Sequence, residues 1–138
     1  MSQKTILIVD DDPDVRLGLH VRLKANNYDV IFAADGMASI AQARKHMPDL
    51  IILDLGLPAG DGFSVMERLK ATDSLSLIPV IVVSARDRNI NMDRVLKAGA
   101  KAFLQKPVDN AQLLAVIRKV LGEPALPQRP LVHDLGSI

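Results

Sequence analysis

The sequence predicts an α/β fold in which a parallel β-sheet carries helices on both faces. Five short apolar segments alternate with five amphipathic segments over the first 122 residues. Strands that are joined through helices must run parallel, and right-handed crossovers then place helices on both sides of the sheet. The chain has 138 residues and 49% of them are hydrophobic, which is enough for one domain with a buried core.

Three strand–helix units are predicted in the first half of the chain. The strands are apolar runs, and the third is almost continuously apolar, which is typical of a central strand covered on both faces. The helices begin at Asp, Pro or Gly and have apolar residues spaced by three and four. In order, the segments are strand 5–9, helix 13 to about 26, strand 29–33, helix 36–46, strand 49–55, loop 56–62 and helix 63–71.

Two further units are predicted in the second half. Strand 80–85 begins after Pro79, a position where a strand tolerates proline. Met92, Val95, Leu96 and Gly99 have helical spacing, and the strand 102–105 follows. The last helix has Asp109 as its expected N-cap and Gly122 just beyond its end. This order of elements predicts a flavodoxin-like, doubly wound sheet of five parallel strands in the order 2-1-3-4-5.

Composition and charge exclude several classes of function. The net charge of +1 gives no reason to expect nucleic acid or an anionic membrane as a partner. The absence of cysteine removes disulfides and thiolate chemistry. We find no apolar segment long enough to span a bilayer and no signal peptide, so a cytoplasmic location is expected. All carboxylates except Glu67 and Glu123 are aspartates, which suit caps, turns and rigid ligand sites.

Polar residues follow the carboxyl ends of four predicted strands. Asp10 and Asp11 follow the first strand, Asp54 lies at the end of the third, Ser84 at the end of the fourth, and Lys106 directly after the fifth. Ligands of open α/β sheets bind beyond these strand ends. Each residue alone has an ordinary explanation as a cap, a turn residue or a solvated side chain. Their joint placement is much harder to explain in that way.

A carboxylate cluster at this edge would need a cation. Two carboxylates about 4 Å apart repel by roughly 4 kcal/mol at an effective dielectric constant of about 20. The three histidines fall away from these strand ends, so Mg²⁺ fits better than zinc. An aspartate, Mg²⁺, a lysine and a hydroxyl together suit phosphoryl transfer to a carboxylate.

The same residues form four motifs of a known family. These are "VDD" after the first strand, "DLGLPAGDG" around Asp54, "SA" at Ser84 and "KP" at Lys106. In this order they closely resemble the receiver domain of two-component response regulators, over about residues 4–122. The resemblance implies that Asp54 accepts a phosphoryl group from a phosphohistidine on a sensor histidine kinase or a histidine phosphotransfer protein. Phosphorylation would then shift the domain between two conformations and so control an output domain or partner.

The resemblance also implies a set of magnesium ligands. Asp11 would bind Mg²⁺ directly and Asp10 through water. Asp54 and the backbone carbonyl of Gly56 would complete the protein's contribution.

Three other residues have implied roles in the switch. Lys106 would pair with the phosphoryl group, and Ser84 would move inward to donate a hydrogen bond to it. Phe103 matches the aromatic switch position, whose side chain would swing inward as Ser84 moves. The family further suggests a cis peptide bond between Lys106 and Pro107.

The resemblance assigns surfaces but leaves several properties open. The first helix would dock the phosphodonor, and the face formed by residues 87–121 would provide output contacts and a homodimer interface. No membrane or direct nucleic-acid contact is expected of this domain. We expect the receiver domain to cover residues 1–122 and residues 123–138, which hold three of the eight prolines, to form a linker or tail. Gly56 and Arg86 lie where the phosphoryl lifetime is tuned, so that lifetime stays open.

Two alternatives compete with the phosphorylated switch. A phosphatase of the haloacid-dehalogenase type would need a second Asp two residues after the nucleophile, where this chain has Gly56. A receiver-like module that binds its partner independently of phosphorylation is the other alternative. We expect a signalling switch that promotes its own phosphorylation and dephosphorylation rather than an enzyme with turnover.

Overall fold

A computed structural model describes residues 3–57 and 61–124. Within them, strands and helices alternate from β1 to α5, as predicted. They are β1 (Thr5–Val9), α1 (Pro13–Ala25), β2 (Asp29–Ala33), α2 (Gly36–His46), β3 (Leu50–Leu53), α3 (Gly62–Ala71), β4 (Val80–Ser84), α4 (Arg88–Lys97), β5 (Ala102–Gln105) and α5 (Asn110–Val120). The predicted tail after Pro124 lies outside the described residues, as do positions 58–60 of the predicted loop.

The sheet has the predicted strand order, β2-β1-β3-β4-β5, and each neighbouring pair is parallel. Val9, the last residue of β1, lies opposite Ala33 of β2 and Leu53 of β3. The first residues beyond β1 and β3 are therefore level with one another at the carboxyl edge of the sheet.

The third strand is shorter than predicted, because it ends at Leu53 and not at residue 55. Leu55 is nevertheless fully buried, with an exposure of 0%. Leu55 is apolar because it packs into the core from the loop after β3, and not because it pairs in the sheet. The apolar run of the sequence therefore predicted a strand that is too long. The fourth strand is one residue shorter than predicted, since Ser84 is its last residue.

Successive side chains of the central strands enter two separate cores, because they alternate between the faces of the sheet. One core contains Leu7 and Leu53 and packs against α2, α3 and α4, while the other contains Ile6 and Ile8 and packs against α1 and α5. Burial of the central strands on both faces explains their nearly continuous apolar sequences.

Every helix begins at an aspartate N-cap whose side chain accepts a backbone N–H: Asp12, Asp35, Asp61, Asp87 and Asp109. Such caps stabilise a helix by about 1 kcal/mol each. Every helix also has basic residues in its last turn. Since each helix starts near the carboxyl edge, the aspartate caps lie at that edge and the basic last turns lie toward the opposite one.

In the described part of the chain, no helix has the length and apolar character that crossing a membrane would require.

Candidate functional site

The carboxyl edge of the sheet brings two of the predicted carboxylates onto neighbouring strands. The backbone N–H of Asp10 donates to the carbonyl of Ala33 at 3.1 Å, and that of Asp54 donates to the carbonyl of Val9 at 3.0 Å. These hydrogen bonds continue the pairing of the sheet past the strand ends. They hold Asp10 and Asp54 in place, with exposures of only 3% and 9%.

Lys106 reaches both carboxylates from β5. Its Nζ lies 2.7 Å from Asp10 Oδ2 and 3.5 Å from Asp54 Oδ2. Its backbone N–H donates to the carbonyl of Ser84 at 2.8 Å, which anchors the residue to the end of β4. The peptide bond between Lys106 and Pro107 is cis, as the family resemblance suggests.

The electrostatic surroundings keep Lys106 charged. Partial burial acts to lower the pKa of its ammonium group. The hydrogen bond to Asp10 and the negative charges of Asp54 and Asp10 outweigh that effect, so the pKa of Lys106 is raised. The ammonium group is therefore a permanent counter-charge of the two carboxylates at physiological pH.

The acidic cluster could hold a hard divalent cation. One oxygen each from Asp10, Asp11 and Asp54 lies within 4.8 Å of the other two. Asp10 Oδ1 accepts the backbone N–H of Asp12 at 2.9 Å, which orients that carboxylate. Carboxylate oxygens with room for water are the ligands that Mg²⁺ prefers. The donor set therefore fits Mg²⁺, and the Asp11 side chain, which is exposed, leaves an open side toward solvent.

Comparison with known proteins identifies the family. A family model described as the response regulator receiver domain matches residues 6–118. The chain belongs to this family. The family is that of two-component response regulators, which confirms the resemblance found in the sequence.

Curated relatives of the receiver domain differ in length. Response regulator PleD of Caulobacter vibrioides is 40% identical over 120 residues, which cover 87% of this chain and 26% of PleD. The transcriptional regulator RpaA of Synechocystis is 39% identical, and the match covers 84% of this chain and 48% of RpaA. Protein PilH of Pseudomonas aeruginosa is 35% identical over 84% of this chain and 96% of PilH. The chain thus spans between a quarter and a half of the first two relatives but nearly all of the third.

Solved structures share the architecture of this receiver domain. Chemotaxis response regulator CheY4 of Vibrio cholerae has a TM-score of 0.80 at 26% identity, covering 86% of this chain and 98% of CheY4. The receiver domain of sensor histidine kinase PA1611 of P. aeruginosa has the same TM-score at 27% identity, covering 88% of this chain and 99% of that one. The latter structure has a magnesium ion coordinated in its active site cleft.

The remaining predicted residues of the receiver domain occupy distinct positions around the site. Ser84 is 1% exposed, and its Oγ accepts the backbone N–H of Arg86 at 3.2 Å. Gly56 is exposed, and its N–H donates to Asp54 Oδ1 at 3.3 Å. Phe103 is only 2% exposed and belongs to the core beneath α2, α3 and α4. Its side chain is thus already directed inward, and its role as a switch stays a prediction.

Sequence reasoning missed two residues that position the site. Arg16 donates from Nη1 to the carbonyl of Asp10 at 2.8 Å, which ties the loop after β1 to α1. Gly62 passes so close to β3 that an added Cβ would lie 2.7 Å from the carbonyl oxygen of Asp54. No spacing rule signals either contact, because both depend on how a helix packs against a loop.

Proposed function

We propose that this receiver domain accepts a phosphoryl group from a phosphohistidine onto Asp54 in a magnesium-dependent reaction, and that the resulting change of conformation controls an output domain or partner. The observation that carries the proposal is the position of Asp54, whose carboxylate lies 3.5 Å from the ammonium of Lys106 and within 4.8 Å of two other carboxylates. A carboxylate surrounded by a fixed cation and a metal-binding acid cluster is suited to phosphoryl transfer.

The proposed step forms one bond and breaks one. An oxygen of Asp54 attacks phosphorus, a P–O bond forms, and the P–N bond to the donor histidine breaks. The imidazole leaves with the electron pair and takes a proton from solvent. Lys106 lies where it can stabilise the negative charge on the phosphoryl oxygens, and bound Mg²⁺ would neutralise more of it. Water later attacks the phosphorus, the P–O bond to Asp54 breaks, and inorganic phosphate leaves, which restores the carboxylate.

We assign the magnesium ligands as the family resemblance implies. Asp11 would bind directly, Asp10 through water, and Asp54 and the carbonyl of Gly56 would supply the other protein ligands. The 2.7 Å ion pair of Asp10 with Lys106 supports its indirect role, because this carboxylate already has a counter-charge.

We assign the conformational response to Ser84 and Phe103. The Ser84 hydroxyl accepts from the backbone N–H of Arg86, and its own hydrogen remains available to donate to a phosphoryl oxygen. Phe103 pairs with Val82 of β4 in the sheet and is buried next to that strand. Movement of β4 and the loop after it would therefore change the packing of Phe103.

A groove beside Lys106 supports docking of a histidine kinase or histidine phosphotransfer protein on α1. It encloses about 510 Å³ between α1 and the loop after β5, and Val15, Leu19 and Val108 contribute to its apolar lining. Leu17 and Val21 of α1 are each 61% exposed beside it. A helix of the phosphodonor that packed there would bring its histidine toward the site.

We further propose that the receiver domain ends near Gly122 and that residues 123–138 form a linker or tail. The end of α5 at Val120 and the positive φ of 71° at Gly122 support this boundary. The face formed by residues 87–121 is the proposed output and homodimer surface, and the 77% exposure of Ile90 on it supports a contact there. We place the protein in the cytoplasm, where its phosphodonors would reach it.

Incubation with acetyl phosphate and Mg²⁺, followed by intact-mass spectrometry, tests the phosphoacceptor. We expect one added phosphoryl group in the wild-type chain and none in Asp54→Asn. Asp93→Asn is the matched control, because Asp93 is exposed and forms an ion pair with Lys97 away from the acidic cluster. Equal labelling of the Asp54→Asn and wild-type proteins would reject the proposal, as would labelling that is unchanged by chelation of Mg²⁺.

A further inference from the structure

A second groove lies between α2 and α3, on the face of the sheet opposite α1. It encloses about 470 Å³ and is lined by Met37, Ile40, Ala41, Arg44, Lys45 and Arg68. Met37, Ala41 and Lys45 are spaced by four residues and therefore follow one another along one side of α2. Met37 is 68% exposed, so the apolar floor of the groove is open to solvent.

The rim of this groove carries uncompensated positive charge. Arg44, Lys45 and Arg68 form no ion pair with any acid in the described part of the chain. No carboxylate is among the described residues that line the groove. Basic residues near helix ends are favoured by the helix dipole, which explains their presence. It does not explain an open groove with an exposed methionine between them.

We propose that the α2–α3 groove is a docking site for an acidic amphipathic helix of a partner protein. Apolar side chains of that helix, spaced by three and four, would fill the floor beside Met37, and carboxylates flanking them would meet the three cations of the rim. Methionine suits such a contact, because its flexible thioether adapts to different apolar side chains. The inference goes beyond the proposed function and does not depend on phosphorylation.

The site leaves the acidic edge free. The cation Arg44 lies eight residues into α2, roughly 12 Å along the helix from its start near the carboxyl edge of the sheet. None of the residues that line the groove belongs to the acidic cluster, so a helix bound in the groove need not cover Asp54. The same partner could therefore remain bound while the receiver domain is phosphorylated and dephosphorylated.

Charge and shape favour a protein helix over other anionic partners. Proteins that bind DNA commonly neutralise about six to ten phosphates, whereas this rim offers three cations. The receiver domain has no Trp and 3% aromatic residues, so it lacks the aromatic platforms that bind single strands or membrane interfaces.

Binding of a synthetic helix tests the groove. The probe is a peptide of about 18 residues, five helical turns, with leucines along one face and glutamates elsewhere. The same peptide with lysines replacing glutamates is the control. We expect backbone amide shifts, measured by NMR on the unphosphorylated receiver domain, to cluster on α2 and α3 with the acidic peptide alone. Shifts that cluster on another face, or binding of both peptides, would overturn the proposal.

Matched variants separate the groove from general electrostatics. The triple variant Arg44→Glu, Lys45→Glu, Arg68→Glu should weaken peptide binding at least tenfold. The triple variant Arg22→Glu, Lys101→Glu, Lys119→Glu changes the net charge equally at exposed sites elsewhere and should change binding less than twofold. Met37→Ser should weaken binding, while Leu77→Ser, at a position 92% exposed outside the groove, should not. Equal effects of the two triple variants would refute the docking site, as would equal or tighter binding of duplex DNA or anionic vesicles.

Discussion

Lys106 lies closer to Asp10 than to Asp54. Its Nζ is 2.7 Å from an oxygen of Asp10 and 3.5 Å from an oxygen of Asp54. The lysine is thus the internal counter-ion of the acidic cluster, and it competes with any cation that binds there. This competition gives the first prediction.

Lys106→Ala is expected to bind Mg²⁺ more tightly and to be phosphorylated more slowly. A unit positive charge at about 5 Å from a divalent cation repels it by about 2 kcal/mol in water, and by more at a lower dielectric constant. Removing the lysine should therefore raise the affinity for Mg²⁺ by at least roughly tenfold. The same change removes the cation that we propose to stabilise the transferring phosphoryl group. Isothermal titration with Mg²⁺ and the rate of labelling by acetyl phosphate measure the two effects.

Lys101→Ala provides the control for Lys106→Ala, since Lys101 is exposed and the same charge is lost far from the acidic cluster. Mg²⁺ affinity that falls in Lys106→Ala, or that rises equally in both variants, would contradict the competition.

Asp11→Asn is expected to stabilise the protein without metal and to remove its stabilisation by Mg²⁺. The Asp11 carboxylate has an oxygen within 4.8 Å of oxygens of Asp10 and Asp54, and the repulsion at this distance is about 1 kcal/mol per pair in water. Bound Mg²⁺ at 100 times its dissociation constant would stabilise the wild-type protein by about 2.7 kcal/mol. Urea unfolding with a chelator measures the stability without metal, and urea unfolding with Mg²⁺ measures the stabilisation by the metal.

Asp12→Asn is the control for the metal experiment. Asp12 caps α1, and asparagine is an equally good N-cap. Mg²⁺ should stabilise this variant as it stabilises the wild-type protein. If Mg²⁺ does not stabilise Asp12→Asn, the effect of Asp11→Asn is not specific.

Gly62→Ala is expected to destabilise the protein by about 1 to 3 kcal/mol and to slow phosphorylation. Its Cβ would lie 2.7 Å from the carbonyl oxygen of Asp54 and 2.8 Å from the Cα of Leu55, so the backbone beside Asp54 must move. Gly18→Ala is the opposite case, because a Cβ there meets nothing within 4 Å and alanine favours a helix by about 1 kcal/mol. Equal stabilities of the two variants in urea unfolding would disprove the close approach.

Tyr28 is expected to ionise two pH units above free tyrosine in the folded protein. Burial, followed by the 2.5 Å hydrogen bond and the negative charge of Glu123, raises the pKa of Tyr28 to about 12. The unfolded chain releases this proton near pH 10. Between pH 10 and 12 the folded state therefore holds more protons than the unfolded state, and stability falls as pH rises.

Two measurements check the ionisation of Tyr28. The chain has one tyrosine and no tryptophan, so ultraviolet absorbance follows this phenol alone. Tyr28→Phe should cost about 1 kcal/mol of stability at pH 9, and the difference from wild type should shrink by pH 11. A folded-state midpoint near pH 10 would contradict both the burial of the phenol and its hydrogen bond to Glu123.

Local sequence signals predicted the elements and the residue types at the edge of the sheet. The strands β1, β2 and β5 and the helix α2 have the predicted bounds. Apolar periodicity and aspartate caps are signals that extend over only a few residues. A strand that is buried on both faces is recognisable from its continuous apolar sequence. The strand-end positions of Asp10, Asp54 and Lys106 followed from topology, since parallel strands deliver their carboxyl ends to one edge.

Tertiary packing alone determined the contacts between residues on different elements of the fold. Examples are the closer approach of Lys106 to Asp10 than to Asp54, the hydrogen bond from Tyr28 to Glu123 and the approach of Gly62 to Asp54. The distances in these contacts depend on how the helices pack against the two cores. No pattern of neighbouring residues encodes them, because a side chain's partner across the fold is chosen by shape and charge after the elements have packed.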